Sequence, residues 1–327
     1  MTYSIGGLIQ ATDYNGFAND TAAANVNGIW GAGSTNAGYG QSTTLATVSA
    51  GATVTATQWA TLNNRISSLA AHQGTGITSR ANPVAGSTIG ILSALNTDLV
   101  NLTTNRANAA LSGSQYTSWT GTSSKTTATG SGNTAWTITF THTITWGSAN
   151  AARYFFNAGG RIKWETSKTS TGTDADDEWN DLANTLVGDI FITGGDFATI
   201  AGTNYTGTTK SGGTGTPTTL ATTTGWYDLI TTDTILYKQF ADTYSYTDQF
   251  IQLSAKTAGS GTQLVLTTVW TDPGGALFPN DNISGGTATT GITFGTAPTT
   301  VVTYFPPSAT YLTESSWGTP TVAATVA

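Results

Sequence analysis

The densest set of residues able to do chemistry is Asp174, Asp176, Asp177, Glu178 and Asp181. Clustered carboxylates hold hard cations or work as acid–base pairs. The run departs from a calcium-loop pattern, which needs glycine at its sixth position, where Trp179 stands. We read it as the acidic first turn of a short helix from Asp174 to Val187, where the helix dipole favours negative charge. A cation site and a catalytic pair are the alternatives. A glycosidase needs two carboxylates about 5–10 Å apart. Glu165, Glu178 and Glu314 are the only glutamates, and nothing in one dimension pairs them. His142 lies on the inner parity of a strand and reads as a core histidine; a three-histidine metal on a trimer axis is the alternative. His72 closes a helix, where a solvated or capping role is expected. With two histidines and no cysteine, nucleophilic triads, Cys-based zinc sites and disulfides are hard to assemble or excluded. There is no G-x-S-x-G, H-E-x-x-H or G-x-x-x-x-G-K-[ST]. No catalytic residue, cofactor or metal is therefore expected. Tyr205, Trp226, Tyr227, Tyr244 and Tyr246 lie among glycines and could stack on sugars, or fill a sheet core.

The element that must position these groups is Ala135–Trp146. Trp136, Ile138, Phe140, His142, Ile144 and Trp146 share one parity and five threonines the other. That alternation is a half-buried β-strand. Replacing Phe140 on its inner face should be costly. Downstream, a hairpin is expected about Asn157-Ala158-Gly159-Gly160. Strands are expected at 190–193, 235–240, 250–256, 264–271, 291–294 and 301–305. A Gly/Thr loop should fill 201–224. Turn signals at Asp272-Pro273-Gly274-Gly275 and Pro279-Asn280-Asp281-Asn282 separate later strands. Upstream, Asp13 caps a helix running to Trp30. A helix starting at Thr55 or Thr57 carries Trp59, Leu62, Ile66 and Leu69 at seam spacing. A third, from near Ser87, carries Leu92, Leu95, Leu99, Leu102, Arg106 and Ala109. The seam closes within one chain or between identical chains, and a homotrimer is the expectation. The fold class is mainly β with an N-terminal α-helical segment: an antiparallel β-sandwich, jelly-roll-like, preceded by a helical bundle or short coiled coil. The division is 1–112 helical attachment and oligomerisation region, 113–133 Gly/Ser/Thr linker, 134–305 β-domain and 306–327 extended tail.

Composition narrows the function classes. Charged residues are 9% of the chain, well below the usual roughly 25%, so hydroxyls and amides solvate it. Ten Trp, twelve Tyr and eleven Phe argue against disorder. A net charge of −7 with eleven scattered Lys and Arg excludes a basic nucleic-acid footprint. There is no apolar stretch long enough to span a membrane, and residues 1–8 lack signal-peptide character.

The chain resembles virion structural proteins of tailed bacteriophages, particularly contractile-tailed phages of cyanobacteria and marine bacteria. The resemblance rests on Val26-Asn27-Gly28-Ile29-Trp30-Gly31 with Gly38-Tyr39-Gly40-Gln41, on Ala152-Arg153-Tyr154-Phe155-Phe156-Asn157-Ala158-Gly159-Gly160, on Gly225-Trp226-Tyr227-Asp228-Leu229, on Leu236-Tyr237 and on Trp270-Thr271-Asp272. It implies a non-enzymatic tail fibre or tail-associated component, assembled in the host cytoplasm and carried on the virion. Its expected partners are itself and other tail or baseplate proteins. It carries over no catalytic residues. The alternatives are a carbohydrate-binding tip that recognises a host surface glycan, a head or neck fibre, or a polysaccharide depolymerase.

Overall fold

The computed structural model describes residues 10–19, 25–86, 92–113, 116–124, 127–128, 136–170, 172, 174–243, 247–273, 292–293 and 297–327. Helices α1 (Ala11–Asn19), α2 (Val26–Trp30), α3 (Ala56–Gln73) and α4 (Leu92–Thr104) come first. Then follow β1 (Tyr116–Ser124), β2 (Thr127–Ala128), β3 (Trp136–Thr145), α5 (Ala149–Asn157), β4 (Arg161–Ser167) and α6 (Asp174–Asp181). Helix α6 continues into a π-helical turn at Leu182–Leu186. The remaining strands are β5 (Asp189–Ile192), β6 (Ala198–Ile200), β7 (Thr203–Tyr205), β8 (Thr208–Ser211), β9 (Thr219–Leu220), β10 (Thr234–Phe240), β11 (Phe250–Ala258), β12 (Gln263–Asp272), β13 (Ile292–Thr293), β14 (Thr299–Phe305) and β15 (Thr321–Val326).

The chain is mainly antiparallel β with a few helices. The two larger sheets run β1-β14-β4-β5-β8 and β15-β3-β12-β11-β10-β9, while β13 pairs with β2 and β6 with β7 in two-stranded sheets. Strand β3 behaves as its alternation demands. Trp136, Ile138, Phe140, His142 and Ile144 are buried, while the threonines face outward and are exposed or half-buried. Its register with β12 is unbroken from Trp136–Asp272 to Thr145–Gln263. Along its other edge β3 pairs with β15. The two sheets share one core with the helices. Trp164 on β4 donates its indole N–H to Thr268 Oγ1 on β12 at 2.8 Å, tying one sheet to the other.

The seam is closed within the chain. Trp59, Leu62, Ile66, Leu69, Leu95, Leu99 and Leu102 are at most 2% exposed in a single copy. The side chain of Leu92 lies outside the described residues. Tyr14 and Phe17 of α1 pack on Trp59 at ring distances of 6.1 and 6.2 Å. An amphipathic helix of this length needs such a cover to persist. With that cover supplied from within, the described seam residues offer no apolar stripe to further chains, so of the two alternatives the seam takes the intrachain one. Helix α3 has sharp ends: Thr55 and Gln58 form a capping box, and Gly74 takes a left-handed φ of 68°.

Several expectations need correction. The stretch from Asp13 to Trp30 holds two helices, and Asp13 sits inside α1, accepting from the Gln10 amide at 3.1 Å. The hairpin expected at Asn157–Gly160 is the exit of helix α5. Ser148 caps that helix, and Ala152, Phe155 and Phe156 form its buried face at helical spacing. The Gly/Ser/Thr stretch expected to be a linker contains β1, which pairs with β14. The expected loop at 201–224 holds β7, β8 and β9, and the expected tail holds β15. Arg106 and Ala109 lie beyond the end of α4; Ala109 makes a parallel bridge to Ile200. The start of the third helix near Ser87 and the turn signals at 279–282 lie outside the described residues. Among the described residues, no helix is long and apolar enough to cross a membrane.

Candidate functional site

Two places gather polar groups from distant parts of the chain. The first is a node around the loop from Ala32 to Gly40. This loop turns through Gly33 and Gly38, at φ of 51° and 92°. A Cβ on Gly38 would stand 2.4 Å from the Ala32 carbonyl oxygen, so only glycine fits. The loop's outward carbonyls are bound by α5. Arg153 donates to Ala32 O at 2.7 Å and Ala37 O at 3.0 Å, and Asn157 donates to Gly38 O at 2.9 Å. Tyr227 donates to Thr35 O at 3.2 Å and to Asn157 Oδ1. Burial pushes the Tyr227 and Tyr39 hydroxyls up from their ordinary pKa, so both remain protonated donors. On the far side, Gln41 accepts from the Glu314 amide at 2.8 Å, and Glu314 accepts from the Ser42 amide at 3.0 Å. The chemistry here is mechanical: a glycine-rich loop is pinned from both sides.

The second is an acidic corner. Glu178 and Asp181 lie three residues apart on α6, hence on one face. The loop after β10 brings Asp242 to them, and carboxylate oxygens of the three lie within 4.8 Å of one another. Glu178 is fully buried, Asp181 half-buried and Asp242 exposed. Glu178 Oε2 accepts from the Thr243 hydroxyl, while Oε1 is buried with no hydrogen-bond partner. Burial, with a smaller contribution from the Asp181 charge, raises the Glu178 pKa against the pull of Thr243 and nearby amides. The rest of the run is divided. Asp176 pairs with Lys168 in the interior, and Asp177 accepts from Ser170. The run is thus a helix start, as its sequence suggests, and among its described side chains Glu178 and Asp181 are the two at the corner. A raised-pKa acid beside a carboxylate resembles a glycosidase pair, but a fully buried Glu178 has no access to a sugar.

A comparison with family models, curated proteins and solved structures finds no match to this chain.

The aromatic candidates are packed in place. Trp226 stacks on Phe156 at 5.2 Å. Tyr205 is buried against Phe191 at 5.4 Å and beneath the Arg161 guanidinium at 5.2 Å. Tyr227 is held in the node. These three therefore present no sugar platform; Tyr244 and Tyr246 lie outside the described residues. His142 is buried in the core. His72 is buried too, against the expectation of a solvated helix end. Its Nε2 lies 3.2 Å from the Ala158 carbonyl and its ring packs edge-on against Tyr39. A polar groove of about 940 Å³ is bordered by Asn25, Asn27, Thr35, Asn36 and Arg106. Within it, Asn27 is bound to both backbone groups of Leu45, and Arg106 donates to Asn36 O and Thr103 O. Asp242 escaped the sequence reading because a single aspartate in a loop has no periodic or motif signal.

Proposed function

We propose that this chain is a non-enzymatic structural protein of a tailed-bacteriophage particle, a tail fibre or other tail-associated component acting in assembly or host attachment. What supports this reading is the node. The motifs that carry the resemblance are far apart in sequence, yet three of them meet there: Gly38 and the loop that joins it to Gly31, Arg153 and Asn157 on α5, and Tyr227. A chain whose distinctive residues serve to lock a loop between helix, sheet and C-terminal segment is suited to bearing load. On this reading the two facing sheets form a sandwich, and residues 11–104 form a helical layer through which the protein attaches to neighbours. Self-association then uses a surface other than the closed seam. The sugar-binding alternative draws no support from Tyr205, Trp226 or Tyr227.

The test is direct. Antibody raised against the β-part is applied to purified particles from the phage that encodes the chain. Labelling at a fixed station in electron micrographs, with the chain found by mass spectrometry in washed particles, is the expected result. A chain abundant in the lysate and missing from washed particles refutes the proposal.

A further inference from the structure

We infer that Glu178, Asp181 and Asp242 form a divalent-cation site of calcium type, which clamps helix α6 to the loop between β10 and β11. The first observation is the convergence of three carboxylates from two elements, with oxygens within 4.8 Å of one another. The second is independent of their grouping: Glu178 is fully buried and its Oε1 has no hydrogen-bond partner. A buried carboxylate oxygen left without a donor is costly and calls for a positive ligand. Among the described residues, no lysine or arginine is ion-paired with any of the three. Thr243 and nearby amides favour the Glu178 carboxylate, but Oε1 keeps no hydrogen-bond partner and no cationic side chain pairs with the three, which leaves a metal ion or a proton to complete the compensation.

The donors favour calcium. Calcium takes six to eight oxygens, carboxylates and waters among them, in a flexible shell. Magnesium demands near-ideal octahedral geometry, gives up its waters reluctantly and is seldom held by an all-protein cage. All three donors are hard oxygens, which excludes soft-metal preferences. Asp242 is exposed and Asp181 half-buried, so water can complete the shell from that side. The chain also changes from α to π winding directly after Asp181, a local distortion often found beside functional groups.

Trp179, adjacent to Glu178, offers the readout. Terbium replaces calcium in oxygen sites, and indole excitation sensitises its emission. The full-length protein, first treated with chelator, is titrated with terbium and then with calcium or magnesium in competition. The inference expects saturable one-to-one emission, displaced by calcium far below the magnesium concentration required. Glu178→Gln should abolish it. Asp242→Asn, at an exposed position where folding is not at stake, should weaken binding by at least the roughly 10–100-fold that loss of even an outer-shell partner costs. Asp233→Asn, in a surface pair with Lys256, should change nothing. Absence of saturable emission overturns the inference, as does unchanged affinity in Asp242→Asn. Equal competition by magnesium overturns the calcium assignment. Failure here leaves the particle assignment untouched, because the two tests share no readout.

Discussion

His72 should govern how steeply the protein loses stability in mild acid. The ring is 1% exposed, and Nε2 lies 3.2 Å from the Ala158 carbonyl oxygen, so the neutral ring must carry its proton there and donate. Burial pulls the pKa from the ordinary 6.5 down to about 4, with the carbonyl opposing only in part. The unfolded chain therefore takes up a proton first as pH falls. The stability linked to this group is complete above pH 6.5 and is lost as pH falls toward 4. Each pH unit in that window costs about 1.4 kcal/mol, so the loss approaches about 3 kcal/mol. In His72→Phe, the Ala158 carbonyl loses its donor, which costs about 1–3 kcal/mol at neutral pH. The variant also lacks this acid sensitivity. Its stability curve should start below the wild-type curve, run flatter, and approach or cross it near pH 5. Urea unfolding followed by tryptophan fluorescence, at steps from about pH 7.5 to about pH 4.5, measures both curves. Every other titratable group is common to both proteins, so the difference between them isolates His72. Parallel curves would refute the assignment of a buried neutral ring.

Phe140→Ala should cost about 3–5 kcal/mol in the same assay, because the fully buried ring sits centrally on β3. Leu95→Asp combined with Leu99→Asp should unfold the helical layer, since both side chains are at most 1% exposed and burying a charge there is costly. A folded, merely dissociated double variant in light scattering would return the seam to an interchain role. Asn157→Ala should cost about 1–3 kcal/mol by leaving the Gly38 carbonyl unpaired, and hydrogen exchange should rise across residues 32–41. Because the Glu178 pKa is raised, its contribution in chelator-treated protein is present below the ordinary 4.5 and lost as pH rises through the higher folded value. Glu178→Gln should remove that decline from the pH–stability curve.

The parts of the fold legible in the sequence were those with their own period or cap. The aromatic–threonine alternation of β3 and the capping box at Thr55 each report a local cause. Helix α5 was misread because Asn157-Ala158-Gly159-Gly160 suits a turn and the Phe155-Phe156 pair suits a strand. The spacing of Ala152, Phe155 and Phe156 was the signal to follow. Strand β1 was hidden for a different reason: its Ser/Thr/Gly composition becomes a strand only through pairing with β14, nearly the whole β-part away. The acidic corner was half legible. Glu178 and Asp181 stood out by density, while Asp242 joins them through topology alone.

The position of β3 between β12 and β15 has a consequence for biosynthesis. About 120 residues separate Thr145 from Gln263, its first neighbour on one edge. At a translation rate of about 5–20 residues per second, β3 waits roughly 6–24 s for that neighbour, and longer for β15. Throughout this delay, a strand bearing Trp136, Ile138 and Phe140 has neither edge hydrogen-bonded to its native partners. Such an intermediate is vulnerable to intermolecular strand pairing. Cooler, slower expression or a co-produced holdase chaperone should thus raise the soluble yield more than any change to the buffer of the finished protein.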